Sequence, residues 1–186
     1  MKIQQFVMAY RAGHDRIRSL LDDEFESLRP VLRINVEIIG EEKSGKGYVR
    51  IEFNTPVAAR GKRGWLNLKT WESPATDIRY EFSDRHKGER TAGHDTAVKG
   101  ITTKFITDFL TIEYTGVGIA GGCPAENDND GCFFASGDDY DFVPAETITE
   151  SKEYCDCEFQ WTDPFMNAMK IECEEILGAY KVEFER

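Results

Sequence analysis

VLRINVEII (residues 31–39) and YVRIEFN (residues 48–54) decide the fold of this chain. In the first stretch Leu32, Ile34, Val36 and Ile38 fall on one face, and Arg33 and Glu37 on the other. In the second, Val49, Ile51 and Phe53 alternate with Tyr48, Arg50, Glu52 and Asn54. Side chains of a strand alternate between its two faces, so each stretch reads as a strand with one apolar and one polar side. The connection, residues 41–47, is polar and holds two glycines, which suits a hairpin. If the strands pair, Arg33, Glu37, Arg50 and Glu52 share a surface. On an open, one-sided sheet that surface faces water. In a curled or conical sheet it lines a cavity, where paired charges acquire shifted pKa values and become acid/base candidates.

Outward from this hairpin, the N-terminal Phe6–Tyr10 run reads as a strand broken by Gly13. Asp15 then caps a short helix with Ile17, Leu20 and Leu21 on its apolar side. One helix over residues 2–28 is the alternative. Pro56 ends the second strand or marks an edge. Trp65–Trp71 predicts a strand with Trp65, Asn67, Lys69 and Trp71 on one side, and Ile78–Phe82 a further one. Ser83–Asp95, the most polar stretch, reads as a mobile connection, and Thr103–Tyr114 returns to a strand pattern. GVGIAGGCPAENDNDGC (residues 116–132) reads as a shaped glycine loop running into an acidic one. Strands are expected at Cys132–Phe134 and, with sharp alternation, at Tyr154–Trp161. Asp163-Pro164 is a helix start, with Phe165, Met169, Cys173, Ile176 and Leu177 as the stripe and Gly178 as the stop. Tyr180, Val182 and Phe184 close the chain as a strand. The expected fold class is α+β: one domain over residues 1–186, a mostly antiparallel β-sheet curled into a cone-like barrel, a short N-terminal helix and one C-terminal helix.

The 23 basic and 34 acidic residues leave a net charge of -11, which opposes a phosphate backbone and argues against nucleic-acid binding. The basic cluster Arg60, Lys62 and Arg63 reads as a solvated turn. No run approaches the roughly 20 apolar residues of a membrane helix, and no secretory leader is visible, so the expectation is a cytoplasmic protein without a membrane role. Five cysteines fit a reducing compartment better than a disulfide framework. The composition leaves a homo-oligomer open.

Cys155 and Cys157 look like half a zinc site, but they share a strand face with Phe159 and Trp161 and read as core thiols. Residues 126–131 resemble the start of a calcium loop, whose twelfth position is Gly137 where glutamate is required, so a solvated turn is the reading taken. No metal is expected. Gly118 and Gly121, where backbone can approach a ligand, and Cys123, an exposed thiol, are candidate substrate contacts, as are Arg50 and Glu37. Lys69, near two tryptophans, is a candidate amine nucleophile if desolvation lowers its pKa, and a surface lysine covering tryptophan if it does not.

FVMAYRAGHDRIRSLLDDEF, PVLRINVEII and YVRIEFNTPVAARGKRGWLNL together resemble the opening of the acetoacetate decarboxylase-like superfamily, over residues 5–70. The resemblance implies a cone-like antiparallel fold around a cavity, and no cofactor. It also implies a Schiff-base lysine, with glutamate and arginine handling the substrate carboxylate and the proton. By motif, Glu52 corresponds to the cavity glutamate, with Arg33 as carboxylate partner. The family's Lys-Lys pair is absent from this chain. The expected function is binding of a small organic acid, with lyase chemistry on a keto acid through Glu52, Arg33 and Lys69. The alternative is an acidic interaction module, of bacterial inhibitor or immunity type, without catalysis.

Overall fold

The computed structural model describes residues 1–40, 47–74, 79–91, 94–121, 130–162 and 171–186; of residues 74, 79–91 and 94–99 only the backbone is described. The chain forms twelve strands and one short helix among the described residues: β1 (Lys2–Arg11), α1 (His14–Arg18), β2 (Glu26–Ser27), β3 (Val31–Ile39), β4 (Tyr48–Ala59), β5 (Lys62–Pro74), β6 (Arg79–Thr91), β7 (His94–Ile106), β8 (Leu110–Gly121), β9 (Gly131–Ser136), β10 (Asp139–Pro144), β11 (Lys152–Trp161) and β12 (Glu175–Glu185). They join one sheet in the order β10-β9-β5-β4-β3-β1-β12-β11-β8-β7-β6, with β2 beside β4. Pairing is antiparallel except between β5 and β9, which run parallel.

The sheet curls without closing. Four inter-strand steps separate β4 from β11, about 19 Å on a flat sheet. Yet Phe53 of β4 stacks on Trp161 of β11 with ring centroids 5.7 Å apart. Phe6 of β1 likewise meets Phe105 of β7 edge-on at 5.1 Å. The curl brings the apolar faces of β1, β3, β4, β8 and β11 around one core containing Met8, Leu32, Ile34, Ile51, Phe53 and Ile112. The path ends at β10 and β6, so the expected barrel is corrected to an open, curved sheet.

The second expected helix is corrected as well. Residues 163–170 lie outside the described residues, but Ile176, Leu177 and Gly178 belong to β12, paired with Tyr10 and Ala9 of β1. Carbonyl Ile171 O accepts from Trp161 Nε1 at 3.1 Å and from the Tyr10 hydroxyl, fastening the approach to β12 onto the core. The polar stretch 83–95 is mostly hairpin rather than connection: β6 and β7 pair from Arg79↔Ile106 to Thr91↔His94. Residues 116–121 of the glycine-rich segment continue β8. Strand β4 runs through Pro56 to Ala59, where β2 pairs with it at Glu26↔Ala58. The helix lies where expected, but its cap position is Gly13, with no side-chain cap bond.

Candidate functional site

A strand whose two faces are both covered must satisfy polar groups on whichever side carries them. On β1, β3 and β4 the face turned from the core holds Gln5, Arg33, Asn35, Glu37, Arg50, Glu52 and Asn54. Cross-strand register places Gln5 opposite Glu37, Glu37 opposite Arg50, and Asn35 opposite Glu52. The segment that covers them arrives along β5: Trp65 pairs with Cys132, and β9, β10 and the chain after them close over the face. Between sheet and cover lies a cavity of about 410 Å³, within the ordinary range for small-molecule sites. Gly131 makes the close cover work, since its φ of +154° is rarely open to other residues and a Cβ there would sit 2.2 Å from Val143 O.

Burial is deep at the cavity floor: Glu37 is 3%, Asn35 4% and Gln5 5% exposed. Gln5 Nε2 donates to Glu37 Oε1 at 2.9 Å, and Asn35 Nδ2 reaches Glu37 and Glu52 at 3.5 Å each. Arg50 is committed elsewhere, donating to Glu72 at 2.8 Å with Glu37 at 3.9 Å behind it. Two buried polar atoms remain unpartnered here, Arg33 Nε and Asn35 Oδ1. Such atoms are rare in folded proteins, because each forfeits its hydrogen bonds to water. The Arg33 guanidinium lies 4.8 Å over the Trp65 ring, with an unused donor.

Glu52 is the titratable group this arrangement perturbs. Its pKa is raised, first by burial and then by the Glu37 carboxylate; the Asn35 hydrogen bond, Arg50 and Arg33 offset part of the rise. The Cys132 thiol on the opposite wall is pushed up to about 12 by burial and by Glu52, which makes it a poor nucleophile. The cavity thus holds one unsatisfied cation, one carboxyl that takes up a proton readily, and a buried acceptor.

Arg33, Glu37, Arg50 and Glu52, placed on one surface from sequence, come together here. They do so on the outer side of the curl, because the inner side is filled with apolar side chains. Lys69 does not join them: it is exposed on β5 and lines neither this cavity nor its neighbour. Its exposure matches the surface-lysine alternative. The β4–β5 register slips at Phe53/Asn54, which turns Trp65 to the cavity and puts Lys69 opposite Phe53, on the side where Trp71 packs against the core. Gly118 and Gly121 lie on β8 and line neither of these two cavities; Cys123 and most of the acidic loop lie outside the described residues. Sequence reasoning missed Gln5, Asn35 and Trp65, although Gln5 and Asn35 sit at alternating positions of apolar strands, where a polar residue needs a partner.

Cys155 and Cys157 pack against the main core, with burial pushing the Cys155 thiol up to about 12 and the Cys157 thiol higher still. Arg60, of the basic cluster, is held by Glu24 and Asp139 rather than left free. No helix among the described residues is long and apolar enough to cross a membrane.

The curl, the strand order and the outer cavity can be compared with known folds. No family model matches the chain, and no curated protein matches it in sequence. Among solved structures, the enduracididine biosynthesis enzyme MppR complexed with pyruvate superimposes with a TM-score of 0.63 at 11% identity, over 98% of this chain and 84% of that one. Acetoacetate decarboxylase from Legionella pneumophila gives 0.61 at 10% identity, over 98% and 81%. A further acetoacetate decarboxylase structure gives 0.60 at 13% identity, over 98% and 84%. The chain has the acetoacetate decarboxylase-like fold. At these identities the likeness concerns the path of the backbone, and the chemistry must be argued from the cavity itself.

Proposed function

We propose that this acetoacetate decarboxylase-like domain binds a small organic acid in the cavity between β3, β4 and β9, and that Glu52 exchanges a proton with it. The observation that carries this reading is the unpartnered Arg33 Nε buried beside a carboxyl of raised pKa. A bound carboxylate would complete the hydrogen bonding of Arg33, and a charge-assisted bond of that kind contributes about 1.5–3 kcal/mol. Asn35 Oδ1 would accept from a hydroxyl or enol of the same ligand. One of the fold neighbours is described as complexed with pyruvate, which is consistent in size and charge.

Turnover on this reading is of lyase type on a 3-keto acid such as acetoacetate, whose keto carbon is attached to the carbon that bears the carboxylate. The bond between carbon and carboxylate breaks and carbon dioxide leaves. The electron pair passes to the keto oxygen, and the proton of Glu52 ends on the carbon. No lysine lines either cavity among the described residues, so this route has no imine intermediate at the cavity wall.

Thermal denaturation and calorimetry with pyruvate and acetoacetate test the reading. The wild-type protein should be stabilised in a concentration-dependent way, and Arg33→Met should weaken binding about 10–100-fold. Borohydride added with the acid should leave no lysine adduct by mass spectrometry. An absence of binding in the wild type, or equal binding by folded Arg33→Met, overturns the assignment.

A further inference from the structure

The outer face of β1 and β3 continues past the charged cavity. Along β1, Gln5 belongs to that cavity, while Val7 and Ala9, the next residues on the same face, line a second cavity of about 270 Å³. Along β3, Glu37 and Asn35 line the first cavity, Val31 lines the second, and Arg33 lines both. Trp65 is the other residue common to the two. Cross-strand pairing keeps the two halves in line: Gln5↔Glu37, Val7↔Asn35, Ala9↔Arg33. From Gln5 to Ala9 the trough runs about 13 Å at strand rise. Its far wall comes from β12, where Ala179 and Tyr180 are buried and Leu177 stands exposed at the rim.

The two halves differ in chemistry. Carboxylates Glu37, Glu52 and Glu146 line the first. The second is lined by apolar and aromatic side chains with Arg29 and Arg33, and no carboxylate lines it. In a chain of net charge -11, a cavity with two guanidinium groups and no acid favours an anion at its charged end and apolar matter in the rest. Arg33, with its unpartnered Nε, stands at the junction of the two cavities.

Resting on the organic-acid reading above, we propose that the ligand is a monocarboxylic keto acid with an apolar substituent of four or more carbons, branched or aromatic. Its carboxylate sits on Arg33, its keto group turns toward Glu52, and its substituent fills the trough over Val7, Ala9 and Ala179.

Calorimetric titration of the full chain with pyruvate, 4-methyl-2-oxovalerate and phenylpyruvate tests this. The two larger acids should bind at least about tenfold more tightly than pyruvate, since each buried methylene adds several-fold. Ala9→Leu, which fills the trough, should collapse that ratio toward one. Leu177→Ser, at the exposed rim, should lower it by several-fold and serves if Ala9→Leu fails to fold. Equal binding of all three acids by the wild type, or an unchanged ratio in both folded variants, overturns the apolar extension while leaving the acid site standing. Failure of all three acids to bind overturns both.

Discussion

Strands β3 and β4 each present two faces of one alternating sequence, and the two faces do opposite things. Toward the core, Leu32, Ile34, Val36, Val49, Ile51 and Phe53 are each fully buried and belong to one apolar cluster. Toward the cover, Asn35 and Glu37 are equally buried but polar. Burial is therefore not what separates core from site here. The separation lies in whether the buried atoms are satisfied by the protein. Among the described residues, the core side has one buried side-chain polar atom without a partner, the Tyr114 hydroxyl, and the cavity side has two, Arg33 Nε and Asn35 Oδ1. A protein keeps such unsatisfied groups at a cost, and a ligand that satisfies them recovers it.

The largest effect that could break this contrast comes from the core. Phe53→Ala removes a ring stacked on Trp161 and contacting Phe109 at 6.2 Å between centroids. Deleting a buried phenylalanine costs about 3–5 kcal/mol, or a fall in melting temperature of roughly 6–20 °C for a chain of this size. Because this stack bridges β4 to β11 across the curl, the loss should be visible by thermal denaturation monitored at the aromatic bands. A loss below about 1 kcal/mol would mean that the curl does not depend on that stack.

Next in size is Glu37→Leu. Glu37 accepts from Gln5 and Asn35 and lies beside Arg50, so the substitution leaves buried donors without a partner and should cost about 1–3 kcal/mol in denaturant unfolding. If the variant is as stable as wild type, the polar face is hydrated enough for water to replace the carboxylate, and the description of it as a dry cavity floor fails.

Much of this geometry was legible in the strands and little of it in the connections. Val31–Ile39 and Tyr48–Asn54 could be read directly, because their apolar residues alternate and one face of each is core. That Arg33, Glu37, Arg50 and Glu52 share one surface followed from the pairing of that hairpin. The slip at Phe53/Asn54 could not be read, since a bulge adds one residue without changing composition, and it separates Trp65 from Lys69 and Trp71, which the alternation put on one side. The start of β12 failed for another reason. Cys173, Ile176 and Leu177 have helical spacing, but Tyr10 and Ala9 of β1 offered an unpaired edge, and tertiary pairing overrode local preference. The middle of the β6–β7 hairpin, residues 83–95, is polar, so alternation gave no signal there. The second cavity was invisible because it joins strands from both ends of the chain.

Tyr114→Phe sharpens the comparison from the core side. Its hydroxyl is fully buried without a partner, among Phe6 and Phe105, and deprotonation of that phenol is strongly opposed by burial. Removing the oxygen should leave stability unchanged or raise it by up to about 1 kcal/mol, since no hydrogen bond is lost. A clear destabilisation would show that the hydroxyl has a partner on the inner side and that the core face is not dry.

The smallest and most diagnostic effect is expected at Glu52, and its sign is fixed by pH. The folded-state pKa lies above the ordinary carboxylate value because burial and Glu37 penalise the charged form. A group raised in this way favours folding most when both states are protonated, below the unfolded value of about 4.3. That contribution is lost as pH rises through the raised folded value. Above that window the wild type carries a penalty that Glu52→Gln does not, so the variant should melt a few degrees higher at pH 7–8. The difference should shrink as the pH falls and be gone near pH 4. A saturating small acid should reverse the ranking at neutral pH, because only the wild type has a carboxyl that can share a proton with it. If Glu52→Gln instead melts lower than wild type at every pH, Glu52 is held as a satisfied anion. The cavity would then be a structural ion-pair network like the one around Arg50, rather than a place kept unfinished for a ligand.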